Sequence, residues 1–94
     1  MPVEIVWSPL ARRRLQEIRD YIAKDKPVAA EKLAIRIVAA VQALRKYSYI
    51  GRAGADPEIR ELVIGKIPYI VLYKVRGSVV TINTMWHGAQ KREP

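Results

Sequence analysis

The chain has 94 residues, half of them hydrophobic, and carries 17 Lys and Arg against 9 Asp and Glu, a formal net charge of +8. That length holds one core rather than two, and the lack of cysteine excludes disulfides, thiolate nucleophiles and Cys-ligated zinc. The longest apolar runs, 37–41 and 69–73, are five residues each, against roughly 20 for a membrane span.

No signal-peptide core opens the chain, so a cytoplasmic, single-domain protein spanning 1–94 is expected. Its one His argues against a His-rich metal site, and neither a metal nor a cofactor is expected. The cationic surface favours an anionic partner, nucleic acid or an acidic protein.

In chain order, residues 1–7 read as a short strand, with Val3, Ile5 and Trp7 alternating with Glu4 and Val6. Ser8-Pro9 then marks a helix start: serine caps the free amides, and proline suits a first-turn position that needs no N–H. Ala11, Leu15, Ile18 and Ile22 form one apolar stripe at helical spacing, with Arg12, Arg13, Arg19 and Lys24 pointing elsewhere. Asp25-Lys26-Pro27 ends that helix and begins a second, whose stripe is Ala30, Leu33, Ile37, Val41 and Leu44. The short link predicts an antiparallel helical hairpin, and six alanines between positions 29 and 43 suit close helix approach.

Residues 47–57 lose all period, and Gly51, Gly54 and Pro57 mark a loop containing Arg52. Strands are predicted over 59–64, 69–75 and 79–86, with turns at 65–68 and at Arg76-Gly77-Ser78. In the last strand Val80, Ile82 and Trp86 are expected to oppose Thr81 and Asn83. The order β-α-α-β-β-β predicts an α+β fold: a helical hairpin on one face of a mostly antiparallel four-stranded sheet, with the first strand beside one of the last three.

The candidate functional residues each have a structural alternative. Arg12-Arg13-Arg14 is either a solvated helix face or a contact for an acidic partner. Arg60, in an otherwise apolar strand, either pairs with Glu61 or Glu58, snorkels at an edge, or serves as a fixed cation for phosphate or carboxylate. Tyr69 and Tyr73 are four apart and share a face. With Ile70 and Leu72 assigned to the helices, both rings are expected on the uncovered face, as caps or as a stacking surface. His87 is the one side chain with an unperturbed pKa near neutrality and so the candidate for any acid–base step. No Gly-rich phosphate loop, Ser/His/Asp set or carboxylate pair accompanies it.

An ordered set of segments carries a family resemblance. These are Trp7-Ser8-Pro9-Leu10-Ala11, Ile18 through Ala23 (IRDYIA), Gly51-Arg52, Arg60-Glu61-Leu62-Val63, Tyr69 through Val75 (YIVLYKV) and Trp86-His87-Gly88-Ala89-Gln90. Together they resemble the RelE/ParE superfamily, the toxic halves of bacterial type II toxin–antitoxin modules, over nearly the whole chain. That resemblance implies a helical hairpin on an antiparallel sheet.

It also bears on the branch. RelE-like ribonucleases typically carry Arg just after the first Tyr of the central strand, flanking bases, and a Tyr near the C-terminus. Here Ile70 follows Tyr69, position 61 is Glu, and no Tyr follows Tyr73. The resemblance therefore lies nearer the ParE-like branch, which acts on DNA gyrase without a known hydrolytic site, although Gln90 stands where Arg is common.

That branch implies no catalytic residues. Arg52, Arg60, Tyr69, Tyr73, His87, Lys91 and Arg92 would then face the target. Under the alternative, a ribosome-dependent mRNA endoribonuclease, Arg60 and His87 are the catalytic candidates.

An acidic antitoxin that folds on binding is the second implied partner, with higher-order toxin–antitoxin assembly a further possibility. Its expected dock is Leu10, Arg13, Leu15, Ile18 and Ile22 with Leu33, Arg36 and Ile37, supplemented by pairing at strand edges. An inactive module that only partners an antitoxin is a third reading. A plain nucleic-acid-binding domain ranks last, since no helix-turn-helix, RNP-like or zinc pattern is present.

Overall fold

A computed structural model describes residues 3–66 and 69–88 of the chain. Strand β1 (Glu4–Trp7) leads into helix α1 (Pro9–Ala23), then α2 (Pro27–Gln42), which tightens into a 3-10 turn at Ala43–Arg45. Four strands follow: β2 (Arg52–Ala53), β3 (Arg60–Ile64), β4 (Tyr69–Arg76) and β5 (Val79–His87).

The sheet has five strands in the order β1-β5-β4-β3-β2. All neighbours are antiparallel except β1, which runs parallel to β5 with Glu4 opposite Val79 and Trp7 opposite Ile82. The four-stranded expectation is thus corrected to a five-stranded mixed sheet. The added strand β2 has only two residues, too few to show an alternation.

Helix α1 begins as the sequence implies. The Ser8 hydroxyl accepts from the Ala11 amide at 3.0 Å and donates to the Asn83 carbonyl at 2.7 Å. One side chain therefore caps the helix and ties it to β5. Both predicted stripes face the sheet: Ala11, Ala30, Ile37, Val41 and Leu44 are buried, while Leu15, Ile18 and Leu33 pack partly buried against the core. The sheet contributes Ile64, Val71, Tyr73, Val80, Ile82 and Met85. Burying each large aliphatic chain is worth roughly 1.5–3 kcal/mol, so these two rows hold the hairpin on the sheet.

The face assigned to the tyrosines is corrected. Tyr73 is completely buried beside Val71 and belongs to the helix-covered face, while Ile70 and Leu72 lie on the other. A run that is apolar throughout does not reveal its own parity.

The alternation in β5 also breaks. Leu72 pairs with Thr84 but Tyr73 pairs with Ile82, leaving Asn83 as an extra residue. This bulge reverses the faces beyond it, so Met85, not Trp86, continues the core row of Val80 and Ile82.

Candidate functional site

The bulge at Asn83 shapes a surface groove beside α1. Because it shifts parity by one, His87 emerges on the helix side, paired across the strands with Tyr69. The two rings meet edge to face, 5.0 Å apart and at 84°, a preferred aromatic geometry. Burial raises the pKa of the Tyr69 phenol above its ordinary value, so it stays neutral.

Strand β1 stops at Trp7, opposite Ile82, and Ser8 closes the pairing through its amide and hydroxyl. Among the described residues β1 pairs with β5 only as far as Ile82, and α1 lines the groove beside Thr84 to His87. Between them lies a groove of about 910 Å³. Leu10, Ile18, Tyr21 and Ile22 form its helical wall, Tyr69 and the stretch from Thr84 to His87 its sheet wall, and Arg14 and Glu17 its rim. A smaller hollow of about 390 Å³ continues past Tyr69, lined by Leu33, Arg36, Ile64, Gly65 and Lys66. Arg36 and Lys66 bring two cations to that end, whereas Arg14 is paired with Glu17 at 3.2 Å.

Arg60 lies at the opposite end of the sheet. Neither carboxylate expected for it is its partner: Glu61 binds Arg52 at 2.9 Å and Glu58 binds Arg76 at 2.7 Å. Arg60 donates instead to the Gly51 carbonyl at 2.7 Å and the Tyr49 carbonyl at 3.3 Å. Its guanidinium lies over the Tyr49 ring, 4.9 Å from the centroid, within cation–π range. From below, the Tyr73 hydroxyl accepts a hydrogen bond from the Gly51 amide at 2.8 Å. Arg60 and Tyr73 thus clamp the loop before β2 from two sides.

The predicted site residues are therefore dispersed. Tyr69 and His87 share the groove with Leu10, Ile18 and Ile22, while Leu33 and Arg36 border its extension. Arg13 is exposed on α1, and Leu15 packs half-buried against the core. Ile37 and Tyr73 have no exposed surface, so neither offers a contact to a partner. Arg52 is exposed on β2 and half-neutralised by Glu61. Lys91 and Arg92 lie outside the described residues. Tyr21 lies beside the α1 stripe rather than in it, and Met85 and Trp86 join the groove through the bulge, which alone reveals which side of β5 faces α1. Among the described residues there is no cluster of three His, Cys, Asp or Glu able to hold a metal. Nor is any described helix long and apolar enough to cross a membrane.

The fold is shared with a known toxin–antitoxin structure. The chain superposes with a TM-score of 0.81 on a chain of the chromosomal ParDE system of P. aeruginosa, at 24% identity, covering 90% of this chain and 95% of the other. At the sequence level, the profile of the ParE toxin of type II toxin–antitoxin systems matches residues 5–92. Toxin Y4kP of Sinorhizobium fredii is 45% identical over 93% of this chain and 90% of its own length. Toxin RelE2 of Caulobacter vibrioides is 37% identical over 93% of this chain and 97% of its own length. The molecule is a small toxin of the RelE/ParE superfamily. More narrowly, the chain belongs to the ParE toxin family and is the toxin of a type II toxin–antitoxin system.

Proposed function

We propose that this toxin arrests growth by binding DNA gyrase rather than by cutting RNA, and that a cognate antitoxin silences it by filling the groove between α1 and β5. The observation that carries the first half is the fate of Arg60. Phosphoryl transfer from an RNA backbone needs a cation aimed at the developing charge and a base at the 2′-hydroxyl. Arg60 is spent on two carbonyls and a tyrosine ring of its own chain. His87 sits with Tyr69 in the groove, near the end of β4 opposite to Arg60's partner Tyr73. The two ribonuclease candidates are thus apart, whereas a toxin that works by complementary binding needs no such convergence.

The groove supports the second half. Its floor is apolar and aromatic, the stretch of β5 beyond its pairing with β1 forms one wall, and Arg36 and Lys66 stand at its far end. An acidic segment that lays an apolar face against α1 and packs along β5 would satisfy all three features.

The test is a gyrase supercoiling and cleavage-complex assay with purified toxin, run with and without its antitoxin. Loss of supercoiling that the antitoxin reverses is expected. Unimpaired supercoiling at high toxin excess, or new mRNA ends in arrested cells that vanish in Arg60→Ala and His87→Ala, would reject the gyrase reading.

A further inference from the structure

The segment joining α2 to β2 exposes several large side chains to solvent. Its sequence, Arg45-Lys46-Tyr47-Ser48-Tyr49-Ile50-Gly51-Arg52, interleaves cations with aromatic rings. Tyr47 is 55% exposed, Tyr49 64% and Ile50 63%. Three large hydrophobic side chains within four residues are thus left in water, a concentration of the kind that marks binding surfaces.

The loop is also held in place. The amides of Lys46 and Tyr47 both donate to the Ala43 carbonyl, the Ile50 amide donates to Tyr47, and the Ser48 hydroxyl donates to Leu44. At its far end Gly51 is clamped between Arg60 and the buried Tyr73. The Arg60 guanidinium lies on the Tyr49 ring, which is otherwise largely open to solvent. A fixed, exposed ring with a cation lying on it is prepared for a second flat group.

The local charge selects that group. Between Lys32 and Ala55 the chain has five cations and no carboxylate. Arg52 is occupied by Glu61, but among the described residues no carboxylate pairs with Arg45 or Lys46. Protein partners tolerate mixed charge, whereas a polyphosphate backbone favours a carboxylate-free surface. Rings alternating with cations track a single strand, its bases stacking and its phosphates neutralised.

We infer that the loop from Arg45 to Arg52 is a stacking site for unpaired bases of a single-stranded nucleic acid, with Tyr47 and Tyr49 as the platforms and Arg45 and Lys46 on the phosphates. The site lies apart from the antitoxin groove and stands whether or not gyrase is the target. Stacking and phosphate charge are common to single-stranded DNA and RNA, so the site takes both alike.

The experiment is fluorescence anisotropy of the full-length toxin with labelled dT12, U12 and a 12-base-pair duplex, with unlabelled polyglutamate as competitor. Expected are dT12 and U12 affinities within a few-fold of each other and a duplex affinity at least tenfold weaker. Tyr49→Leu keeps an apolar side chain but removes the ring, and should weaken dT12 binding by about tenfold; Tyr49→Phe should retain it. The double substitution Arg45→Ala, Lys46→Ala should flatten the slope of log affinity against log salt by about 1.4, at roughly 0.7 per phosphate contact. Thermal melts of each variant confirm that it remains folded. Equal binding of duplex and dT12, unchanged binding by folded Tyr49→Leu, or displacement of dT12 by equivalent polyglutamate would overturn the inference. The last result would assign the loop to an acidic protein.

Discussion

Gly51 shows how one residue type is dictated by its neighbours. A Cβ built there would lie 2.6 Å from the Tyr73 hydroxyl and 2.9 Å from the Glu61 carbonyl. Neither can retreat, since Tyr73 is fully buried and the carbonyl belongs to the β3 backbone. Gly51→Ala should therefore destabilise the fold by about 3 kcal/mol through overpacking, measured as a lower denaturant midpoint. Tyr73→Phe removes the acceptor for the buried Gly51 amide, which should cost about 1–3 kcal/mol.

The same pair predicts a pH signature. Burial raises the Tyr73 pKa above 10.0, outweighing the Gly51 hydrogen bond and the Arg60 charge, which both lower it. A raised folded-state pKa gives stability that is fully present below the unfolded value and lost as pH rises through the folded one. Wild-type stability should thus fall above about pH 10, and Tyr73→Phe should show a shallower fall. Parallel declines in the two proteins would contradict the assignment.

At the scale of elements, Ser8 and the bulge at Asn83 act as a single joint. The serine hydroxyl caps α1 and holds the Asn83 carbonyl. Ser8→Ala loses both bonds, so about 2 kcal/mol of stability should go, at the upper end for a helix cap. Amide exchange at Thr84 and Met85 should also accelerate, because among the described residues the pairing of β1 with β5 ends at Ile82, just before the joint.

The two helices, their stripes and the three long strands were legible in the sequence because each has a clear period or a capping signal. Ser8-Pro9 marked the start of α1, which runs Pro9–Ala23. The groove was not legible. Its sheet wall depends on a bulge that Val-Thr-Ile-Asn-Thr-Met-Trp-His does not announce, since Asn83 reads as one more polar position in an alternation. The side of β4 facing the helices was equally hidden. A tyrosine is expected to keep its hydroxyl near water, but Tyr73 finds a backbone amide inside the protein. Arg60 stands out in the sequence as a cation in an apolar strand, yet its partners are carbonyls brought near by a loop without any period.

The whole molecule carries a large positive charge, and if the antitoxin is acidic and fills the groove, as proposed, that charge governs their encounter. With 17 Lys and Arg against 9 Asp and Glu, one-to-one pairing of every carboxylate would still leave eight cations over. The described ion pairs Arg14–Glu17, Arg19–Glu31, Arg52–Glu61 and Arg76–Glu58 are largely exposed, and such pairs contribute only about 0–1 kcal/mol each. Arg36 and Lys66, at the end of the groove, have no described carboxylate partner and remain available to an incoming acidic chain. Long-range attraction should accelerate encounter, while the apolar floor of Leu10, Ile18 and Tyr21 should govern how long the complex lasts. These contributions are separable. In stopped-flow association with the antitoxin, the double substitution Arg36→Gln, Lys66→Gln should lower the on-rate several-fold at low salt and little at 0.5 M, with the off-rate nearly unchanged. Ile18→Ala should do the reverse, raising the off-rate by roughly tenfold, as expected when a buried apolar contact worth about 1.4 kcal/mol is lost. An on-rate indifferent to both salt and the charge substitutions would show that the antitoxin approaches from another face of the molecule.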